Sequence, residues 1–236
     1  MKITLLTGKT YNIQEAFEFP LKVIKSPRAK RLTLRIDAKE HCPILTLPPR
    51  CTQKQAIEFV NLHYNWITEG LQSLPQRQKF ASGQNISLFG KEVQICHAPE
   101  KRWGARVEKG VLYVSGDSEF THRRVKDFIK KEAQAKFLKL SQKLAAKIAC
   151  QVHDVVIKDT KSRWGSCSSL GNINYNWRLA LAPQFVIDYI IAHEVSHLKH
   201  QNHSAAFWQC VAALCPNFEQ GQNWLKQHGK ELYVFE

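Results

Sequence analysis

Apolar and polar positions alternate along several short runs in the first half of the chain, which predicts β-strands. The runs lie at residues 31–36, 43–47, 86–89, 92–96 and 111–114. The first two are close enough in sequence to pair as a hairpin. Thr52 and Gln55 then have the spacing of a capping box, and apolar positions with a helical period continue to about Leu74. This part of the chain is therefore predicted to combine strands with a helix.

In the second half, most apolar positions follow the period of a helix. Thr121 is the predicted N-cap of a helix that reaches about Ala149, with one apolar side and an opposite side rich in Lys and Arg. Residues 171–179 alternate and predict a strand that belongs to a second hairpin. From 185 to 198 the chain is apolar on most of the helical circumference, which predicts a buried helix.

That buried helix carries the sequence His193-Glu194-Val195-Ser196-His197. The two histidines lie one helical turn apart on the same face, so both imidazoles can reach one metal ion. Glu194 is turned by about 100° and is placed to hold a water at that metal. We predict His203 as the third ligand, because three protein ligands with a fourth position left to water are typical of a catalytic zinc site. The predicted cofactor is Zn²⁺.

His203 requires a break in the helix, since a continuous helix would turn it away from the other two histidines. Asn202 is the predicted terminator, because Asn tolerates the left-handed conformation in which many helices end. Ser204 is a good N-cap for the next helix. His200 is the alternative third ligand, although it falls on the flank of the helix as the i+3 neighbour of His197.

The charge of the chain is strongly basic and unevenly placed. Its net charge is +14, and residues 1–150 hold 27 Lys and Arg against 13 Asp and Glu, whereas residues 151–236 hold seven of each. This surplus favours an anionic partner such as nucleic acid or a nucleotide, with a solvated basic face as the alternative. The change of character near Asp117 predicts a basic α+β portion at 1–118 and a catalytic portion at 119–236.

The composition favours a cytoplasmic protein without membrane contact. The apolar run after Met1 is too short for a signal peptide, and the most apolar helix carries Asp188 as well as His193 and Glu194, which argues against a transmembrane span. The seven cysteines form no CxxC pair, as expected for free thiols in a reducing compartment. Cys167 is the candidate for a reactive thiol, with packing as the alternative.

The strand before the metal-binding helix is a candidate substrate site. An edge strand at this position binds an extended peptide by strand addition, and an ordinary hairpin with solvated amides is the alternative. Tyr175, Arg178 and Arg163 are candidates for a group that stabilises negative charge on the substrate carbonyl. We predict substrate contacts from Asn174, Tyr175, Asn176 and Arg178.

Several motifs together resemble the YgjP-like metallopeptidase domain family, which is related to the SprT and WLM groups of zincin-type proteases. The motifs are Arg163–Cys167, Asn174–Leu179, Ile187–Tyr189 and His193–Ser204. The resemblance implies an α+β, zincin-like fold with an N-terminal β-hairpin and helix portion and a C-terminal helical catalytic portion. It also implies zinc held by His193, His197 and His203, with Glu194 as the catalytic acid and base. Because it covers nearly the whole chain, a single domain is the alternative to two portions.

Three functions are compatible with these features. The leading one is a zinc-dependent peptidase that acts on polypeptides, with a nucleic-acid-associated, SprT-like protease as one form of it. The second is a metal-dependent hydrolase of nucleotides or other phosphoesters, which would suit the basic half of the chain. The third is a binding module with structural zinc, and Glu194 argues against it because a structural site has no need of a general base.

Overall fold

The computed structural model describes residues 3–4, 10–11, 16–74, 76–160 and 162–235. These residues form strands and helices of an α+β fold, so the predicted fold class is confirmed. The chain divides into two compact units, residues 1–76 and 77–236. This division lies about forty residues before the predicted one near 118, because the strands between 85 and 114 share a hydrophobic core with the helices of the second unit.

The described residues of unit 1 form two small sheets and two α-helices. Strands β1 (Ile3–Thr4) and β2 (Thr10–Tyr11) pair antiparallel. The second sheet has three strands. Its central strand pairs antiparallel with the strand that precedes it in sequence, which confirms the predicted hairpin. On its other side it pairs parallel with the first strand of the sheet. The strands of that sheet are β3 (Lys22–Lys25), β4 (Thr33–Asp37) and β5 (Cys42–Leu47).

The helix predicted after Thr52 is two helices, α1 (Gln53–Leu62) and α2 (Tyr64–Gln72). The capping box is confirmed, since the backbone N–H of Gln55 donates to the Thr52 hydroxyl and the Gln55 side chain accepts from the Thr52 N–H. His63 separates the helices with φ −107° and ψ 15°. Its Nδ1 lies 2.8 Å from the carbonyl oxygen of Phe59.

Unit 2 begins with a four-stranded sheet in the order β6-β7-β9-β8. Its two outer pairs are antiparallel, whereas β7 and β9 run parallel in the middle. Lys109 and Gly110 have φ values of 48° and 80°, which matches the tight turn of a two-residue hairpin. The strands are β6 (Asn85–Leu88), β7 (Lys91–His97), β8 (Ala105–Glu108) and β9 (Val111–Val114).

Helix α3 (Thr121–Lys147) confirms the predicted long helix. It follows a short 3₁₀ turn at Ser118–Phe120, so Thr121 is its buried first residue and makes no capping bond. Every fourth residue of its inner side is buried, and several of these residues are small, which allows close packing on the rest of the unit. The buried residues are Val125, Ile129, Ala133, Phe137, Ser141 and Ala145.

A second, three-stranded sheet of unit 2 lies beside the candidate site. Strand β12 (Asn172–Asn176) is its centre, parallel to β10 (Asp154–Lys158) and antiparallel to β11 (Gly165–Cys167). A 3₁₀ turn at 177–181 leads into three helices, and none of the helices in the described residues is long and apolar enough to cross a membrane. The helices are α4 (Gln184–Ser196), α5 (Ala205–Leu214) and α6 (Phe218–His228).

Candidate active site

Helix α4 fixes the first two site residues. It is buried on almost its whole circumference, as its sequence predicts, and His193 and Glu194 lie in its last turn. His197 follows as the C-cap with nearly helical dihedral angles, φ −67° and ψ −18°. The HExxH residues are therefore held by a rigid, buried helix end.

The predicted helix break is present, but it lies earlier than Asn202 and has a different cause. Helix α4 ends at Ser196, and the N–H groups of the next three residues, 197–199, donate to carbonyls three residues back instead of four. Asn202 does not adopt the left-handed conformation. Its side-chain oxygen instead accepts a hydrogen bond from the N–H of Ser204, which precedes α5 as predicted but makes no side-chain capping bond.

The break brings three histidines together. One ligand nitrogen from each of His193, His197 and His203 lies within 4.8 Å of the others, and the Nε2 atoms of His193 and His203 are 3.2 Å apart. A tetrahedral metal with bonds of about 2.0–2.1 Å to nitrogen keeps its ligands about 3.3 Å apart. The three side chains therefore fit a zinc-type ion.

The orientation of His197 is set by a backbone group. Its Nδ1 donates to the carbonyl oxygen of His200 at 2.9 Å, which leaves Nε2 free with its lone pair. A hydrogen bond from the other ring nitrogen to a backbone carbonyl fixes the tautomer of a metal-binding imidazole. His200, the alternative third ligand, thus contributes its carbonyl to the site.

An aromatic side chain from α5 packs against all three imidazoles. The ring of Phe207 is fully buried, and its centroid lies 4.9, 4.5 and 4.8 Å from the rings of His193, His197 and His203. This packing restricts the rotamers of the histidines. It also removes water from one side of the site.

Burial lowers the pKa of the histidines. The pKa of His193 falls to about 4, first through burial and then through the neighbouring histidines. The pKa of His197 is lowered mainly by burial too, against a raising contribution from the His200 carbonyl. Both rings are therefore neutral at pH 7, which is the form that binds metal.

Glu194 is a buried carboxyl group beside the histidines. It is 4% exposed, and its Oε2 has no hydrogen-bond partner among the described residues. Burial raises its pKa to about 8, and the opposing effect of the Arg163 charge is smaller. An unpaired buried polar atom is costly, so the fold keeps this oxygen available for a group that the protein binds.

The pocket at Glu194 and the histidines has a volume of about 530 Å³. One wall is the edge strand β11, whose Gly165 backbone lies against the Glu194 side chain. The sequence pointed to Arg163 as a charge-stabilising candidate and to Cys167 as a possible reactive thiol, but not to four other lining residues. Two of these four, Gly165 and Ser166, belong to the run of small residues after Trp164 that was the available signal. The missed residues are Ser162, Gly165, Ser166 and Gln201.

The structure does not place Tyr175, Asn176 or Arg178 in the pocket, which corrects the prediction that they contact substrate. Tyr175 is fully buried and its hydroxyl bonds with Ser141 at 2.9 Å. Asn176 and Arg178 are also buried and bond within the protein. Tyr175 and Asn176 belong to the central strand of the sheet, and Arg178 lies in the buried 3₁₀ turn that follows it.

Asn174 is half-buried on the same strand. Its Nδ2 donates to the Ser166 hydroxyl at 3.2 Å, so it lies behind β11 and supports the pocket wall.

Cys167 faces the pocket as a protonated thiol. Burial and the nearby Glu194 raise its pKa to about 11, and its Sγ donates to the Ser168 carbonyl at 3.4 Å. A thiolate is the reactive form of cysteine, so the packing alternative describes Cys167 better than the reactive one. All seven cysteines are free.

Replacing Gly165 with Ala is expected to lower kcat/KM for a peptide substrate by roughly 10- to 100-fold, the effect of misplacing a catalytic group by about 1 Å. A Cβ at this position would lie 2.5 Å from Glu194 Oε1 and 2.6 Å from its Cγ, so the carboxyl group or β11 has to shift. Steady-state kinetics of this variant and of Ser169→Ala, in the exposed turn after β11, provide the measurement. Equal kcat/KM values would show that Glu194 has room to move.

Three converging histidines beside a buried glutamate are typical of metal-dependent hydrolases, among them the metallopeptidases. The chain belongs to the YgjP-like metallopeptidase domain family, whose model matches residues 30–228, so the predicted family is confirmed. A crystal structure of the metallopeptidase zymogen of Pyrococcus abyssi abylysin is 22% identical, with a TM-score of 0.35; the match covers 42% of this chain and 93% of that one. No curated protein matches the sequence.

Proposed function

We propose that the protein is a zinc-dependent peptidase in which His193, His197 and His203 hold the metal and Glu194 is the general acid and base. The observation that carries this proposal is the unpaired, buried Oε2 of Glu194 beside the three convergent imidazoles. Family membership supports the class of reaction.

In this proposal the carboxyl group of Glu194 moves the proton. Zinc, when bound, supplies Lewis-acid activation of water and of the substrate carbonyl. Glu194 accepts the proton of the attacking water on Oε2 and returns it to the nitrogen of the leaving amine. Without metal, burial raises the pKa of Glu194 to about 8, which favours the protonated form needed for the second step. The positive charge of a bound zinc ion would favour the carboxylate needed for the first step.

The substrate strand is proposed to bind along β11, which replaces the strand predicted from sequence. β11 is the edge of its sheet, and its three residues line the pocket, so an extended peptide that pairs with it would pass Glu194. Among the three residues predicted to stabilise the oxyanion, Arg163 is the one that lines the pocket. We assign that role to Arg163.

The two other predicted functions have less support. Phosphate groups are usually bound by several cationic or backbone donors, and Arg163 is the one Lys or Arg among the described pocket residues. A structural zinc site does not explain a buried carboxyl group with an unpaired oxygen.

An anionic partner and a cytoplasmic location stay predictions. Much of the basic surplus lies in the unit that holds the site, since residues 77–150 contain 16 Lys and Arg against seven Asp and Glu. Arg123, Lys139 and Lys143 are exposed on α3, although Asp127 and Glu132 interrupt the basic surface. Single-stranded nucleic acid is the partner that this charge would suit.

A substrate panel with metal removal tests the proposal. The zinc-loaded protein is expected to cleave unfolded polypeptides, to lose this activity in a chelator and to regain it when zinc is restored. Nucleotides are tested in parallel, and single-stranded DNA is added to the peptide reaction at low and high salt. Nucleotide turnover without proteolysis would replace the proposal with the second function. A rate of peptide cleavage that DNA leaves unchanged at both salt concentrations would contradict the predicted anionic partner.

A further inference from the structure

We infer that Arg178 is a positioning residue that ties the C-terminal segment, residues 232–235, to the chain entering β11, and thereby fixes the wall of the pocket. The strand to be positioned is three residues long, and in the described part of the chain it pairs with a strand on one side only. The inference rests on the proposed function for its kinetic readout, whereas its second readout is independent of activity.

The guanidinium group of Arg178 bridges the two segments. Its Nη1 donates to Asp159 Oδ1 at 2.5 Å, while its Nε and Nη2 donate to the carbonyl oxygen of Phe235 at 3.2 and 2.9 Å. Its Cζ lies 4.5 Å from the ring centroid of Trp177 and 4.9 Å from that of Tyr233. Arg178 is 1% exposed, and a charge buried to this extent requires such partners.

Tyr233 extends the same connection toward β11. Its ring packs on Trp164 at 5.5 Å, and its hydroxyl donates to the Thr160 carbonyl at 3.2 Å. The buried Asn176 donates to that carbonyl as well, at 2.8 Å, and its backbone N–H donates to the carbonyl of Trp164. Residues 159, 160 and 164 are therefore all fixed directly before Gly165.

The C-terminal segment is itself anchored away from the pocket. The Phe235 ring stacks on Phe80 with centroids 4.1 Å apart, and the Gln78 N–H donates to the Val234 carbonyl at 2.8 Å. The segment therefore gives Arg178 and Tyr233 a fixed support. It lies beyond residue 228, where the family match ends.

The position of β11 has little tolerance. Gly165 is in such close contact with Glu194 that a single added methyl group would overlap the carboxyl side chain. A displacement of about 1 Å at a catalytic group costs on the order of 100-fold in rate. The bonds of Arg178 and Tyr233 therefore act on catalysis through the placement of β11 relative to Glu194.

Two variants and one control test the inference in the zinc-loaded protein. Arg178→Lys keeps the charge and removes the planar fork, and Tyr233→Phe keeps the ring and removes the bond to Thr160. Ile95→Ala, in the buried centre of β7, supplies a destabilised control far from these contacts in sequence. Thermal midpoints, zinc content, kcat, KM and amide hydrogen exchange of residues 162–167 are compared.

For Arg178→Lys we expect the rate of amide hydrogen exchange at residues 162–167 to rise roughly tenfold above that of the control. We also expect kcat to fall by roughly 10- to 100-fold while KM and zinc content stay nearly unchanged. Tyr233→Phe should show the same pattern more weakly, and it decides the matter if Arg178→Lys does not fold. Exchange and kcat that change in both variants only as they do in Ile95→Ala would overturn the inference. If the wild-type protein cleaves no peptide, the proposed function fails while the exchange result still decides the inference.

Discussion

Replacing Glu194 with Gln is expected to lower kcat for peptide hydrolysis by about 10³-fold or more while the zinc content stays at the wild-type level. General acid and base catalysis contributes roughly 10²–10⁴-fold, and Glu194 is proposed to act in both steps. Gln has nearly the shape of Glu, so the contacts with Gly165 are retained. Its side chain cannot take up a proton, and water therefore loses its base.

The measurement combines kcat and KM for an unfolded polypeptide with metal analysis of the same samples. Glu219→Gln, an exposed carboxyl on α6 in the same unit, is the matched control and should retain wild-type kinetics. A Glu194→Gln protein that retains both zinc and activity would contradict the proposed mechanism. Loss of zinc along with activity would instead assign Glu194 to the metal-binding set.

Replacing His203 with Ala is expected to weaken zinc binding by at least about 100-fold, whereas His200→Ala should retain the metal. Loss of an outer-shell partner alone costs roughly 10–100-fold in affinity, so loss of a ligand should cost no less. His203 brings its Nε2 to 3.2 Å from that of His193. His200 contributes its backbone carbonyl, which alanine preserves.

Competition with a chromophoric chelator gives both affinities, and the peptide assay should follow the same order. The two positions lie three residues apart, so the comparison separates the role of a side chain from general disturbance of the turn. Retention of zinc by His203→Ala and its loss in His200→Ala would assign the third ligand to His200.

The convergence of the three histidines could be predicted because it depends on local geometry. Helical periodicity alone places His193 and His197 on one face, and the spacing to His203 requires a break. The cause of the break was not predictable in the same way. The helix ends at Ser196, where hydrogen bonds that span three residues replace those that span four, whereas the sequence pointed to Asn202.

The proposed substrate strand was less predictable because its choice depends on the order of strands in a sheet. Alternation in 172–176 predicts a strand correctly, but alternation does not show whether a strand lies at the edge or in the interior. β11 has three small residues and carries no periodic signal of its own. The contacts of Arg178 join residues 159, 178 and 235. These positions are far apart in sequence, so local sequence patterns do not predict that they meet.

The bond from His197 to the carbonyl of His200 places an essential part of the site in the main chain. The side chain at position 200 is therefore free to vary without loss of the orienting acceptor. Proline is the exception, since the N–H of this residue is bonded to Ser196. For protein engineering, position 200 offers an attachment point for a fluorescent or cross-linking group beside the proposed metal ligand His197, at a residue whose side chain has no role in the proposed site.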